Sequence, residues 1–239
     1  MLSGPPLTTA YTESDDTMTT THVLTPVHSD PVLPAHYHSL MSSTDKYRHA
    51  QDMADLAISR GLTPVAASVT GSRLRGLDHP ASDVDGLVLV AEKLTRARSW
   101  TYRSAHGDSL EVSTSTDDPV QLQVQSLEGF VARLSRSVPY VEFLHSPFLL
   151  VDPRLRAYLA SLRINRYELQ IHARGFAAHA LARASDDPGA GQTRAKATRN
   201  ALVAQHVSAT LSPLMPRTLL SDGVSPSQAA ALTSWLEQH

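Results

Sequence analysis

The chain has 239 residues, is 41% hydrophobic and 18% charged, and carries a formal net charge of −2. These values describe a globular chain long enough for one large or two small domains, with no global basic field to bind long duplex DNA. It has no cysteine, which excludes disulfide scaffolds, thiolate metal sites and cysteine nucleophiles. No apolar run approaches the ~18 residues of a membrane span, and the polar N-terminus is unlike a secretory signal, so the expected location is cytoplasmic.

Residues 1–43 are rich in Thr, Ser, Pro and His. This composition predicts a disordered or extended arm. Its histidines (His22, His28, His36, His38) lack a companion carboxylate cluster, and a polar tail explains them. Asp45–Arg60, followed by Gly61, reads as a helix with a glycine stop. Pro64–Thr70 reads as a strand, Leu74–Leu77 as a short helical or turn segment, and Asp83–Val90 as a buried strand. Trp100–His106 and Ser109–Ser115 suggest a hairpin. Val120–Gln125 alternates strictly, with Val120, Leu122 and Val124 on one face and Gln121, Gln123 and Gln125 on the other. A helix begins at Leu127. After Pro139 the pattern is helical, with helices expected over Pro153–Leu162, Arg166–Arg183, Thr193–Leu211 and Ser227–Glu237. The expected organisation is an arm (1–43), an α/β domain (44–135) and a helical C-terminal domain (136–239).

The segment from Val65 to Val90 carries the chemistry. An apolar run ends at Gly71-Ser72, and after a basic stretch and a turn Asp83-x-Asp85 opens a second apolar run. Each half alone is common: Gly-Ser pairs occur in turns of every kind, and Asp83 can simply cap a turn. Together they are more specific. Carboxylates at i and i+2 on a strand share a face, and two at the entrance of an apolar strand are costly unless paired or metal-bound. Two hard oxygen ligands beside a glycine turn suit Mg²⁺ with a nucleoside triphosphate.

Gly71-Ser72-Arg73-Leu74-Arg75-Gly76-Leu77, followed by Ser82-Asp83-Val84-Asp85, resembles the signature of DNA polymerase beta-like nucleotidyltransferases. The resemblance is closest to their minimal bacterial and phage branch, the predicted nucleotidyltransferases of RNA repair pathways. Ser126-Leu127-Glu128-Gly129-Phe130 and Pro139-Tyr140-Val141-Glu142-Phe143-Leu144-His145-Ser146-Pro147 resemble two further segments of that branch. The likeness covers roughly residues 50–210 and fades after Pro147. It implies an α/β (α+β) nucleotidyltransferase fold: a mixed β-sheet flanked by helices, followed by a helical C-terminal module.

The resemblance also implies that Asp83 and Asp85 hold Mg²⁺ (or Mn²⁺), and that Gly71 and Ser72 cradle the β- and γ-phosphates of an NTP. The acceptor is a hydroxyl on an RNA or tRNA end, a protein or a small molecule. Arg73 and Arg75 are candidate triphosphate cations. Lys196 and Arg199, three apart with Arg194 nearby, are candidate phosphate contacts from the helical module. A solvated surface role is the plainer alternative for each of these cations. The family carries a third carboxylate on a later strand. Here that strand offers glutamines, so Asp118 is the favoured substitute, with Asp117 and Glu111 as alternatives. Glu142 reads as a helix-start carboxylate, and His172 and His179 as ordinary packed or surface histidines. Because of the glutamines, a catalytically degenerate protein that binds nucleotide, RNA or a partner protein is the alternative reading. No G-x-x-x-x-G-K-[ST] sequence is present, which disfavours a P-loop kinase.

Overall fold

The computed structural model describes residues 23–35, 37–78, 82, 84–94, 102–103, 109–113, 120–185, 191–215 and 225–238. Strand β1 (Thr25–Pro26) precedes helix α1 (Ser43–Ser59), strand β2 (Pro64–Val69), the one-turn helix α2 (Gly71–Arg75) and strand β3 (Val84–Val90). Strands β4 (Tyr102–Arg103), β5 (Ser109–Ser113) and β6 (Val120–Ser126) follow. Next come helices α3 (Leu127–Arg133) and α4 (Val138–Leu144), and strand β7 (Leu150–Val151). The chain then runs through α5 (Arg156–Ser161), α6 (Arg166–Ser185), α7 (Gly191–Thr210) and α8 (Pro226–Leu236).

Among the described residues the strands form one sheet in the order β1-β7-β2-β3-β6-β5-β4. The sheet is mixed: β2 and β3 are antiparallel, whereas β3 and β6 are parallel. The protein is therefore a mixed α/β molecule. Among the described residues, no helix is long and apolar enough to cross a membrane.

Alternation along β3 divides the core. Val84, Val88 and Val90 pack toward α1, whose Ala50, Met53, Ala54 and Ala57 recur at helical spacing on the buried face. Leu87 and Leu89 point the other way, into a cluster with Leu127, Phe130, Phe143, Leu169 and Val203 from α3, α4, α6 and α7. Ser42 starts α1, its Oγ accepting the Asp45 N–H at 3.1 Å, and Gly61 at φ 72° lets the chain turn after Arg60. Gly86 leaves room for α1: a Cβ there would lie 1.9 Å from Met53 Sδ.

Several elements differ from the sequence expectations. Pro153–Leu162 divides into a 3-10 turn (Pro153–Leu155) and α5. The short helix begins at Gly71 rather than Leu74. Strands β1 and β7 have two residues each, too short for any periodic signal. Most of the expected arm lies outside the described residues, but its part from Val23 onward runs against the folded body. Leu24 and Met41 are buried, and Thr25 and Pro26 pair with Val151 and Leu150. These apolar residues have a sheet edge to cover, which composition averaged over 43 residues does not reveal.

Candidate functional site

β2 ends at Val69, and the Thr70 N–H donates to the Asp85 carbonyl at 2.8 Å. The chain then turns sharply at Gly71, φ 66°. L residues with a side chain disfavour that conformation. Space demands glycine as well: a Cβ at Gly71 would lie 2.1 Å from Asp85 Oδ2 and 2.9 Å from its Cγ. The Gly71 backbone thus rests directly on the Asp85 carboxylate. Asp85 sits at the head of β3, on the face that carries Leu87 and Leu89. The structure therefore brings Gly71, Ser72 and Asp85 together. Asp83 lies outside the described residues.

Both α2 arginines are committed to protein partners. Arg75 donates from Nε and Nη2 to the two carboxylate oxygens of Glu142, each at 2.6 Å, and the Glu142 side chain is 1% exposed. Burial alone would depress the Arg75 guanidinium, but the charge and hydrogen bonds of Glu142, then the charge of Asp85, outweigh it and hold the group raised. Glu142 is not a helix-start carboxylate: it lies past the first turn of α4 and ties that helix to α2, a pairing 67 residues apart that no local pattern announces.

Arg73 donates from Nη2 to the Ser82 carbonyl at 2.6 Å, and its Nη1 lies 3.4 Å from Asp78 Oδ2. Asp78 in turn accepts the Leu40 N–H at 2.9 Å and the Ser39 hydroxyl at 3.1 Å. The sequence reading missed Asp78, Tyr37 and Ser39, whose polar groups meet α2, and Lys46, which donates to Ser39. The one local signal, for Tyr37 and Ser39, is a run of hydroxyl and aromatic residues ahead of α1.

The strand beside β3 bears on the expected third carboxylate. Parallel pairing sets Asp85 opposite Gln121 and Leu87 opposite Gln123. On the next strand, Glu111 is opposite Gln123 and Ser113 opposite Gln121. By register, position 111 therefore shares the sheet face of Asp85, one strand beyond β6. Asp117 and Asp118 lie outside the described residues. Gln125 is buried, its Oε1 accepting the Tyr140 hydroxyl at 2.6 Å, so the far end of the glutamine face serves packing. Among the described residues no group of three or more His, Asp or Glu side chains can hold a metal ion, and Asp85 is the described donor beside the Gly71 turn.

Lys196 and Arg199 are exposed on the first half of α7. The contact from this part of the chain to α2 comes after the other end of α7, where the Met215 N–H lies 3.4 Å from the Arg75 carbonyl. Among the described residues no hydrogen bond or ion pair joins Lys196 or Arg199 to α2 or β3. His172 and His179 lie on α6 without a described polar partner at the site.

No family model matches the chain, and no curated protein matches it. Among solved structures the chain is similar to a nucleotidyltransferase-like protein from Exiguobacterium sibiricum 255-15, the alignment covering 80% of this chain and 73% of that one. The identity is 14% and the TM-score 0.32, too shallow a superposition to argue from.

Proposed function

We propose that the protein is a metal-dependent nucleotidyltransferase that moves a nucleoside monophosphate from an NTP to a hydroxyl acceptor on RNA or tRNA, a protein or a small molecule. The observation that carries this reading is the seat of the Gly71 turn on the Asp85 carboxylate. A phosphate-sized glycine-serine turn and a metal-type oxygen donor share one corner of the sheet, and the motif order of the sequence asks for that juxtaposition.

In this reading Asp83 and Asp85 hold Mg²⁺ or Mn²⁺, which supplies charge neutralisation at the triphosphate and lowers the pKa of a coordinated hydroxyl. The Gly71 backbone and the Ser72 hydroxyl orient the β- and γ-phosphates. The acceptor oxygen bonds to the α-phosphorus as the bond to the pyrophosphate oxygen breaks, and Asp118 is the proposed recipient of the hydroxyl proton. Arg75, fixed on Glu142, contributes positive potential near Asp85 without leaving its partner. Exposed Lys196 and Arg199 would meet phosphates of the nucleotide or acceptor.

The test is incubation with each α-labelled NTP, Mg²⁺ or Mn²⁺, and total RNA or protein acceptors. Transfer of label by wild type and its loss in Asp83→Ala and Asp85→Ala are expected. No labelled product, or equal labelling by both variants, refutes the activity. One observation favours a second reading, a nucleotide-binding protein without catalysis: position 121, registered on Asp85, is glutamine. Saturable NTP binding without transfer by wild type identifies that case.

A further inference from the structure

We propose that residues 37–41 form a strap that positions the glycine-serine turn, with Tyr37, Ser39 and Asp78 holding Arg73, and Arg73 holding the Ser82 carbonyl immediately before Asp83. This inference rests on the nucleotidyltransferase reading and adds positioning residues to it.

Helix α2 is gripped at both ends, each time through a glycine. At its start Gly71 sits on Asp85. At its end Gly76, φ 73°, lies under the strap: a Cβ there would be 2.6 Å from the His38 carbonyl and 3.0 Å from the Tyr37 ring. Between the glycines the strap binds carbonyls that a five-residue helix cannot satisfy internally. The Tyr37 hydroxyl reaches Arg73 O at 3.2 Å and Leu74 O at 3.0 Å, and Ser39 Oγ lies 3.4 Å from Arg73 O.

The strap is anchored from behind. Lys46 of α1 is 1% exposed and donates from Nζ to Ser39 Oγ at 2.9 Å and to the Met41 carbonyl. Its ammonium stands 5.0 Å from the Phe148 ring centre and 5.5 Å from that of Tyr37. Asp78 closes the circuit by accepting from Ser39, Leu40 and Arg73. The arginine side of it is thinly held. Arg73 Nε and Asp78 Oδ1 are buried without a partner, so the pair meets through a single contact of 3.4 Å rather than a fork. Arg73 therefore depends on the strap for its place. It spans from the helix that carries Ser72 to the carbonyl next to Asp83, so it sets the spacing between the two halves of the motif.

The test uses the full chain with Tyr37→Phe, Asp78→Asn and Arg73→Lys. Amide hydrogen exchange reads the α2 hydrogen bonds from Leu74 to Thr70 and from Leu77 to Ser72. Each variant is expected to speed exchange at these two amides about tenfold while Ala67 and Leu87 in the central ladder stay within about twofold. Arg73→Lys, which keeps the charge but cannot reach Asp78 and the Ser82 carbonyl from two separate nitrogens, should not behave as wild type. Arg73→Lys combined with Asp78→Asn should cost less than the sum of the two. With the transfer assay, KM for NTP is expected to rise about tenfold with kcat within about threefold. Unchanged exchange at Leu74 and Leu77, a uniform rise across the sheet, or additive effects overturn the strap. If wild type transfers no nucleotide, the activity reading fails, and the exchange data and their double-mutant cycle alone decide the strap.

Discussion

Replacing Gly71 with alanine separates two demands that the turn makes on its residue. The first is conformational: at φ 66° an L side chain costs about 1–2 kcal/mol. The second is spatial. The new Cβ would lie 2.1 Å from Asp85 Oδ2, so reaching even a 3.0 Å contact moves the carboxylate or the turn by about 0.9 Å. Gly61 provides the control. Its φ is 72°, but nothing lies within 4 Å of a Cβ there. Gly61→Ala is thus expected to lose about 1–2 kcal/mol, a drop of roughly 2–8 °C in Tm, with transfer activity intact. Gly71→Ala is expected to lose a further ~1–3 kcal/mol from the forced contact. Its kcat/KM for NTP should fall about 100-fold, because a displacement near 1 Å at a reacting centre costs about that much. Denaturant unfolding and initial-rate kinetics on both variants read these quantities. If Gly71→Ala transfers nucleotide within threefold of Gly61→Ala, Asp85 does not act beside the turn and the site is misplaced.

Three further changes test the surroundings. Glu142→Gln removes one partner of the buried pair with Arg75 and is expected to cost about 3–5 kcal/mol in chemical denaturation, whereas Arg75→Met with Glu142→Leu together should cost much less; equal losses would deny the pairing. Gly86→Ala should cost about 1–3 kcal/mol by driving a methyl into Met53, and Met53→Ala in the same chain should relieve part of the clash rather than add to it. Lys46 is pushed down from 10.5 to about 8, by burial first, with Arg73 adding to the depression and Asp78 and Asp45 opposing it. Because its pKa is lower folded than unfolded, the folded state releases the proton first, and the burden of a buried cation present below pH 8 is lifted between about pH 8 and 10.5. Relative to Lys46→Met, wild type should therefore gain about 1–3 kcal/mol of stability across that window. A flat difference would show that Lys46 stays solvated.

Local signals carried much of the fold into view. The strict alternation of Val120–Gln125 marked β6, and the glycine stop at Gly61 marked the end of α1. The Gly71-Ser72 turn and Asp85 were legible as neighbours because strand, turn and strand follow one another closely in the chain. What escaped was non-local. Arg73 and Arg75 read as free cations because their partners, the Ser82 carbonyl and a carboxylate 67 residues away, are set by tertiary packing. The part of the arm from Val23 onward read as disordered or extended, and its contacts stayed out of view because Leu24, Tyr37 and Met41 are too sparse to form a pattern, yet each has its own place on the folded body. The two-residue strands β1 and β7 exist only through each other and β2.

That last pairing has a consequence for synthesis. Thr25 pairs with Val151, and the rings against Lys46 include Phe148, so the upstream anchor of the strap waits for more than 120 residues of further chain. At ribosomal rates of about 5–20 residues per second the wait is roughly 6–25 s. During that interval β2, α2 and β3 are already available to pair. The glycine-serine turn and residues 37–41 can therefore meet early in translation, but the backing of the strap by Phe148 and β7 comes only after those residues have left the ribosome. A nascent chain stalled before Phe148 carries the motif and residues 37–41, but without the Phe148 ring beside Lys46 or the β7 partner of Thr25 and Pro26.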